Sequence, residues 1–564
     1  MSHTAHSAAS DNYIEALVVG TGFAGLRTLI ELRKLGISAL SLEAGSDVGG
    51  TWYWNRYPGA RTDSAAWTYA LRLPEVEAEW TWSEKYPAQE EVQRYLAFVA
   101  ERMDVRRDIR FNQLVTSATY DEESNLWTVT TESGDTFTCR YFMPALGHLS
   151  NPSIPFDGAE NFKGEIYLTS KWPQEKVDFT GKRVAVVGTG SSGVQVIPLV
   201  AQEAEHLTVF QRTPNYIMPA QNHALDEDFR RELRQRASAE WAKANNHFFG
   251  FAMDPAGRTY DDVASEEERE RIFEEGWQKG GFHFVFETFD DIVLDQRSND
   301  AASEFIRTKI RETVKDPATA ELLSPRDHPY VSKRPPSGTD YYETYNRDNV
   351  TLVDVKPVPI EAFTPTGLRT SREEYDFDVI VLATGFDVST GSYARIEVTG
   401  RDGRKLTDAW AGGPETFLGV SAPGFPNMLM VCGPQTPYVN HPVAVESVVT
   451  WLGGMLEWLR DNGYDRVEAT SEAAEQWSEL IEQIFSATLL SAGAQANSWY
   501  VGANIEGKPR RALFYFGGSA GYAAAASEVA ENSYRGFSYS KVFGGGPGDG
   551  TQLPDAVAPV AAHS

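Results

Sequence analysis

One pattern occurs twice in the chain: an apolar strand, a turn rich in glycine, and a helix. The first copy runs from Ile14 to Glu43 and the second from Arg183 to Arg212, so each has about the length of one βαβ unit. A third apolar run, Asp378–Ala383, ends at Thr384-Gly385 and is typical of a buried parallel strand followed by a tight turn. The duplication predicts an α/β fold with two Rossmann-like dinucleotide-binding domains.

The first glycine turn, Gly20–Gly25, follows the apolar strand Ala16–Val19. In this motif the first glycine makes the turn, the second lets the backbone approach a pyrophosphate, and the third packs the helix against the strand. The second strand ends at Glu43, whose carboxylate can accept both ribose hydroxyls and would repel a ribose phosphate. We therefore expect FAD or NAD at this turn. The expected binding residues are Gly20, Gly22, Phe23, Ala24, Gly25 and Glu43.

The second glycine turn follows the strand Val184–Val187, and the next strand ends at Arg212 instead of an acid. A guanidinium can grip a 2′-phosphate with two hydrogen bonds, which selects NADPH over NADH. An ordinary surface cation is the alternative interpretation of Arg212. The expected binding residues of the turn are Gly188, Thr189, Gly190, Ser191, Ser192 and Gly193.

Two sites of opposite ribose preference predict hydride transfer from NADPH to a bound FAD. Disulfide reductases pass the electrons on to a cysteine pair, but Cys139 and Cys432, the two cysteines of this chain, form no CxxC motif. The electrons are therefore expected to reach molecular oxygen or an external acceptor. The ten histidines show no metal-ligand spacing with a third ligand nearby, so no metal is expected.

The composition excludes several kinds of partner. A net charge of −28, from 51 basic and 79 acidic residues, opposes binding to nucleic acid or anionic lipid. No apolar run reaches the eighteen residues or so that would span a bilayer. The first dozen residues are polar and lack the pattern of a signal peptide, so a cytoplasmic location is expected. The oligomeric state is left open between a monomer and a weak homo-oligomer.

Two further motifs carry a family resemblance. The segment Gly49–Asp63, GGTWYWNRYPGARTD, matches the signature GGxWxxxxYPGxxxD of type I Baeyer-Villiger monooxygenases at every fixed position. The segment Phe162–Pro173, FKGEIYLTSKWP, is similar to the family fingerprint FxGxxxHxxxWP, whose closing Trp-Pro separates the family from flavin-containing and N-hydroxylating monooxygenases. The resemblance covers about residues 13–543 and includes Lys333-Arg334, Ala383–Asp387 and Ser498–Asn504.

The resemblance implies an enzyme that uses NADPH, FAD and molecular oxygen to convert a ketone into an ester or lactone through a flavin peroxide. By the same resemblance Arg334 is the fixed cation that stabilises negative charge during the reaction. Asp63 is expected to pair with Arg334 and orient it. An ordinary turn carboxylate after Tyr57-Pro58-Gly59 is the alternative interpretation of Asp63.

The resemblance also assigns residues around the two cofactors. Lys333 is expected to bind the phosphate of the nicotinamide cofactor together with Arg212 and Thr213, although a surface lysine is the alternative. The expected flavin-side residues are Trp52 and Tyr69. Trp499 is expected on the cofactor side, in the segment Ser491–Gly507, which is rich in small residues and can close over NADP as a lid.

One position departs from the fingerprint, because Leu168 stands where the family has histidine. A leucine side chain can neither hydrogen-bond nor titrate, so any role of that imidazole is missing or supplied by another residue. The departure motivates one alternative function, an uncoupled NADPH oxidase that releases hydrogen peroxide. A second alternative is oxygenation of sulfur or nitrogen centres.

The expected architecture has three parts, in line with a chain of 564 residues. An FAD domain is formed by about residues 1–150 and 387–543, and an NADP domain by about residues 151–222 and 332–386. A charged, helical insertion at 223–331 separates the two NADP segments. The substrate pocket is expected near the junction of the three parts. The tail at 544–564 is rich in Gly, Pro and Ala and is expected to be disordered.

Overall fold

The larger sheet carries the first glycine turn. The structure, a computed structural model, describes residues 13–542, and the tail expected at 544–564 lies outside them. Strand Tyr13–Val19 pairs in parallel with its neighbours on both sides. In the described residues the sheet has seven strands, in the spatial order Glu397–Thr399, Val115–Asp121, Leu126–Thr131, Thr136–Pro144, Tyr13–Val19, Ala39–Leu42 and Ile109–Arg110.

The second sheet carries the second glycine turn, and its strands pair in parallel. Within residues 13–542 its five strands follow the order Val350–Asp354, His206–Gln211, Arg183–Val187, Val379–Leu382 and Glu165–Leu168. The four residues of Val379–Leu382 are all buried, as expected for a strand covered on both faces. Because parallel strands end at the same edge, the turn after Leu382 lies beside the glycine turn after Val187.

The region 223–331 is mainly helical and has well-defined helix starts. Asp226, Ser265, Asp295 and Asp316 each accept a hydrogen bond from a backbone N–H of the first turn that follows. The long helix after Asp295 buries Ala302, Ile306 and Ile310, which share one face at helical spacing. The α-helices of this region are Glu227–Asn246, Glu266–Lys279, His283–Phe286, Gln296–Thr313 and Pro317–Leu323.

The remaining elements of the described chain connect and cover the two sheets. The other α-helices are Phe23–Lys34, Thr51–Trp54, Pro74–Glu77, Gln89–Arg102, Ser191–Glu203, Tyr341–Thr344, Thr390–Tyr393, Leu406–Ala409, His441–Asp461, Ser471–Ser486 and Gly518–Glu531. The 3-10 helices are Arg106–Asp108, Ala159–Asn161, Thr169–Lys171, Tyr260–Asp262, Arg401–Gly403, Leu489–Ala496 and Trp499–Val501. Small sheets pair Met218–Pro219 with Ser337–Gly338, Gly367–Thr370 with both Ile360–Phe363 and Glu374–Asp376, and Arg466–Ala469 with Phe537–Ser540.

A buried ion-pair network joins the first glycine unit to the helix His441–Asp461. Arg27 donates to Glu31 on its own helix at 2.8 Å and to Glu446 on the other helix at 2.8 Å. Glu446 also accepts from the backbone N–H of Arg72 at 2.7 Å. The late part of the chain therefore returns to the first sheet and packs against it.

The expected α/β fold, with two Rossmann-like units and a helical insertion, is confirmed. The domain boundaries themselves stay a prediction. None of the helices in residues 13–542 is long and apolar enough to cross a membrane. The same residues contain no group of three or more His, Cys, Asp and Glu side chains arranged to hold a metal ion.

Candidate active site

The first glycine turn leaves backbone N–H groups free at the start of a helix. Helix Phe23–Lys34 follows Gly22 and has no side-chain cap. Gly20 has φ +101°, and a Cβ there would lie 2.8 Å from the carbonyl oxygen of Ala145. A Cβ on Gly25 would overlap the carbonyl oxygen of Gly20. Uncapped N–H groups and closely packed backbone fit the pyrophosphate of a dinucleotide.

Glu43 closes the first glycine turn from the end of the next strand. Its Oε2 accepts from the backbone N–H of Thr21 at 2.9 Å and from the Thr21 hydroxyl at 2.7 Å, while Oε1 accepts from the N–H of Gly45 at 2.7 Å. Burial raises the pKa of this carboxyl group, and the three hydrogen bonds oppose that rise. These hydrogen bonds show that Glu43 stabilises the glycine turn. The expected contact of Glu43 with a ribose stays a prediction.

The second glycine turn has the same construction. Helix Ser191–Glu203 follows Gly190 without a side-chain cap, and a Cβ on Gly193 would overlap the carbonyl oxygen of Gly188. A Cβ on Gly190, in contrast, would meet no atom within 4 Å. The turn therefore leaves an open space beside free N–H groups, which fits a second pyrophosphate.

The two kinds of glycine predict opposite effects of an added methyl group. Gly25→Ala is expected to lower the free energy of unfolding by about 3 kcal/mol or more, because backbone must move to relieve the overlap. Gly190→Ala is expected to leave that free energy nearly unchanged and to raise the KM for NADPH. Urea unfolding and steady-state kinetics measure the two effects. Gly412→Ala, which also meets no atom within 4 Å, is the control, and equal stability losses at Gly25 and Gly190 would contradict the prediction.

Cationic side chains gather next to the second turn. Arg212, directly after strand His206–Gln211, is exposed, and Thr213 beside it is half-buried. Burial, together with the positive charge of Arg212, lowers the pKa of Lys333 to about 8, and the negative charge of Asp327 opposes this shift. Two neighbouring cations destabilise each other in the absence of an anion, so this arrangement favours binding of a phosphate.

The pairing expected between Arg334 and Asp63 is present. The Nε of Arg334 donates to Oδ2 of Asp63 at 3.2 Å, and its Nη2 lies 2.8 Å from both carboxylate oxygens. The remaining nitrogen, Nη1, donates to the hydroxyl of Tyr438 at 3.0 Å, and the Cζ of Arg334 lies 4.8 Å from the centre of the Phe282 ring. Burial alone would lower the pKa of Arg334, but the charge of Asp63 and the hydroxyl groups of Tyr438 and Tyr500 raise it.

Trp52 and Tyr69 connect this ion pair to the first glycine turn. The Nε1 of Trp52 donates to the Tyr69 hydroxyl at 3.2 Å, and the two rings meet edge to face at 5.7 Å. Tyr69 also contacts the ring of Phe23, the first residue of the helix, at 5.2 Å. Burial raises the pKa of Tyr69, which is close enough to Asp63 and Arg334 to feel both charges. The predicted flavin-side residues therefore lie between the glycine turn and the Arg334 ion pair.

An aromatic cluster borders Arg334 on the other side. Trp499 contacts Tyr438 at 5.7 Å, Tyr500 at 4.8 Å and Phe514 at 5.8 Å between ring centres. No role was assigned to Tyr438, Tyr500 or Phe282 from the sequence. The only available signal was their aromatic character, which is shared by many core residues.

The chain also resembles known proteins over nearly its whole length. Residues 17–247 match the pyridine nucleotide-disulphide oxidoreductase family. A Baeyer-Villiger monooxygenase of Pseudooceanicola batsensis is 42% identical over 92% of this chain and 95% of its own length. The chain belongs to the Baeyer-Villiger monooxygenase family. Phenazine N-monooxygenase PhzNO1 of Lysobacter antibioticus is 42% identical over 93% of this chain and 96% of its own length. The crystal structure of OTEMO in complex with FAD and NADP has a TM-score of 0.90, with 42% identity over 93% of this chain and 99% of that chain.

In this member of the family, the tryptophan-rich signature joins the two glycine units. The hydroxyl of Tyr57 donates to Oε1 of Gln195, on the helix of the second glycine turn, at 2.8 Å. A Cβ on Gly59 would lie 2.5 Å from the carbonyl oxygen of the same glutamine. One end of the signature therefore packs against the second glycine unit, and the other end contributes Asp63 to the Arg334 ion pair.

The position of the fingerprint histidine lies at the edge of the second sheet. Leu168 ends strand Glu165–Leu168 opposite Leu382, and its side chain packs against a cluster that includes Ala185 and Val187. The next residue, Thr169, donates its hydroxyl to the carbonyl of Leu382 at 3.3 Å. Leu168 thus contributes packing at the position where the family fingerprint has histidine.

Proposed function

We propose that this chain is an FAD- and NADPH-dependent Baeyer-Villiger monooxygenase in which Arg334, held by Asp63, stabilises negative charge on the substrate. The overall reaction consumes a ketone, O2, NADPH and a proton and yields an ester or lactone, NADP⁺ and water. The observation that carries the proposal is the bidentate Arg334–Asp63 pair, which lies beside Trp52 and Tyr69 at the first glycine turn. Bound FAD, reduced by NADPH, supplies the activated oxygen.

The side chains of the protein bind the cofactor phosphate, orient the guanidinium of Arg334 and stabilise negative charge on the substrate. Arg212, Thr213 and Lys333 hold the 2′-phosphate of NADPH, and the free N–H groups of the two helices hold the pyrophosphates. Arg334 places a permanent positive charge where the carbonyl oxygen becomes negative, and Asp63 keeps the guanidinium in a single orientation. Both side chains of this pair are about three-quarters buried, so little water screens the charge.

The aromatic surroundings of Arg334 favour an apolar ketone. Phe251 stacks on Phe282 at 4.6 Å, and Phe249 contacts both Phe286 and Tyr438 at 5.1 and 5.2 Å. These phenylalanines come from the helical insertion and are at most partly exposed. We propose that the substrate presents its carbonyl oxygen to Arg334 and buries its hydrocarbon part against such rings.

Oxygenation of sulfur or nitrogen is a second candidate because of one observation. A relative named as an N-monooxygenase is as similar to this chain as a relative named as a Baeyer-Villiger monooxygenase, both at 42% identity. The uncoupled oxidase is a third candidate, motivated by Leu168. The expected cytoplasmic location and the choice between monomer and weak homo-oligomer stay proposals.

Product analysis with FAD-loaded protein distinguishes these candidates. Linear, cyclic and polycyclic ketones, a thioether and an aromatic amine are each incubated with NADPH, and NADPH loss, hydrogen peroxide and oxygenated product are followed together. Ester or lactone formed in proportion to NADPH loss is the expected result. Product from the thioether or amine alone would favour the second candidate, and peroxide alone with every compound would favour the third.

The KM for NADPH is expected to depend on pH through Lys333. Its pKa of about 8 in the free protein means that its positive charge is present below pH 8 and is lost above it. Because the phosphate needs that charge, the KM for NADPH should stay flat up to pH 8 and then rise by up to about tenfold per pH unit. The KM for NADH should show no such rise. Lys333→Arg, which stays charged, should remove the dependence, and a flat profile in the unchanged protein would contradict the prediction.

A further inference from the structure

Tyr438 occupies the centre of the aromatic cluster beside Arg334. Its backbone N–H donates to the carbonyl of Tyr515 at 2.9 Å, and its side chain is nearly buried. The Tyr438 ring contacts five other rings at distances of 5.0 to 5.7 Å between centres, namely those of Phe249, Trp499, Tyr500, Phe514 and Phe516. The insertion, the segment Ser491–Gly507 and the chain that follows this segment therefore all meet at Tyr438.

The hydroxyl of Tyr438 is hydrogen-bonded on two sides. It accepts from Nη1 of Arg334 at 3.0 Å and donates to the hydroxyl of Tyr500 at 3.3 Å. Asp63 binds the opposite edge of the guanidinium, through Nε and Nη2. Arg334 is therefore fixed at both ends, by a carboxylate on one edge and by a tyrosine hydroxyl on the other.

Tyr500 lies in the segment that was expected to act as a lid. Its backbone carbonyl accepts from the N–H of Leu513 at 3.0 Å, and its ring is almost completely buried. The same segment donates from Asn504 Nδ2 to the carbonyl of Phe386 at 2.8 Å, and the nearby Lys508 forms an ion pair with Asp387. The segment is thus packed down over the site, with Tyr500 turned towards Tyr438.

We propose that Tyr438 is a positioning residue that couples the placement of the segment Ser491–Gly507 to the orientation of Arg334. A tyrosine hydroxyl has a single proton, so when it accepts from Arg334 its proton is directed to Tyr500. Removal of Tyr500 with its segment takes away that acceptor and admits water to the guanidinium. The Arg334 orientation needed for oxygen transfer is therefore favoured when the segment is packed down. The inference rests on the proposed function for its kinetic consequence.

Substitutions that remove only hydroxyl groups test the coupling. Tyr438→Phe keeps every ring contact and deletes both hydrogen bonds, while Tyr500→Phe deletes only the outer one. Tyr120→Phe is the matched control, because the buried hydroxyl of Tyr120, on strand Val115–Asp121, also donates a hydrogen bond, to Asn125 at 2.6 Å. The three variants and the combined Tyr438→Phe/Tyr500→Phe variant are prepared as FAD-loaded protein.

Two readouts are taken from each variant. The first is the division of NADPH consumption between ester and hydrogen peroxide, with kcat and the KM for ketone. The second is the rate of trypsin cleavage after Arg510 and Arg511, two exposed residues next to the segment, followed by mass spectrometry with and without NADP⁺. Cleavage does not depend on catalysis, so it reports on the segment even if the protein accepts no ketone that is offered.

Tyr438→Phe is expected to lower kcat for ester by about tenfold or more, with a larger share of NADPH lost as peroxide and little change in the KM for ketone. Its cleavage after Arg510 and Arg511 should be several-fold faster. Tyr500→Phe should show smaller changes in the same direction, and the double variant should resemble Tyr438→Phe, because both act through one chain of hydrogen bonds. The proposal would be overturned if Tyr438→Phe and Tyr120→Phe divided NADPH consumption between ester and peroxide in the same way, or if trypsin cleaved both variants at the same rate. Absence of ester in the unchanged protein would instead refute the proposed function.

Discussion

Arg334→Lys is expected to reduce the rate of ester formation by about 100-fold or more while NADPH oxidation continues and hydrogen peroxide accumulates. Lysine keeps the positive charge but lacks the planar guanidinium group. It therefore cannot bind both oxygens of Asp63 and the hydroxyl of Tyr438 at the same time. The negative charge on the carbonyl oxygen would then lose its positioned partner. Ester and peroxide are measured together with NADPH loss, so that oxygen transfer is separated from reduction of the enzyme.

A second arginine provides the matched control. Arg183 also binds an aspartate with two nitrogens, donating to Asp378 at 3.3 and 3.1 Å, but this pair is about half exposed and lies at the start of its strand. Arg183→Lys should therefore change ester formation little, because exposed ion pairs contribute little. Equal losses in the two variants would mean that Arg334 acts through general stability and would contradict its proposed role.

Arg212→Ala is expected to raise the KM for NADPH by about 100-fold, the second largest effect that we predict. The side chain is exposed and stands next to Lys333, so its removal deletes one of two cations without disturbing the packed core. The KM for NADH should change much less, because NADH lacks the 2′-phosphate. Steady-state kinetics with both coenzymes measure the ratio.

The comparison of coenzymes within one variant is an internal control. A rise of KM that is equal for NADPH and NADH would show that Arg212 contacts a part common to both, and would contradict its assignment to the 2′-phosphate. The stability of Arg212→Ala should match that of the unchanged protein, since an exposed substitution of this kind shifts the free energy of unfolding by about 0.5 kcal/mol or less.

Local sequence was sufficient for the parts of the site that are built within one short segment. Each glycine turn, with the strand before it, the helix after it and the next strand, spans about thirty residues. The close contact of Gly25 with Gly20 or of Gly193 with Gly188 follows from that local geometry. The prediction for Arg212 has the same basis, because the end of the second strand is a defined position of the unit. Motif and spacing therefore predicted both dinucleotide sites.

Long-range pairs could not be derived in this way. Arg334 and Asp63 are 271 positions apart, and their pairing was expected only from the family resemblance. Tyr438 and Arg334 are 104 positions apart, and no motif marked Tyr438. Likewise, a tyrosine in an aromatic-rich chain gives no sign of whether its hydroxyl faces a core or a functional group. The sequence also did not show that the Glu43 carboxylate accepts hydrogen bonds from Thr21 and Gly45 within the protein.

The sequence by itself determined the two Rossmann-like units, the sign of the charge at the end of each second strand, and the family, since these depend on residue types at short, regular spacing. Tertiary structure alone decided that Tyr57 and Gly59 pack against the helix of Gln195, that Phe282 from the insertion covers Arg334, and that Tyr438 joins Arg334 to Tyr500. The physical reason is that side-chain burial and hydrogen bonding depend on which distant segments the packed sheets bring together, and such contacts leave no periodic trace in the chain.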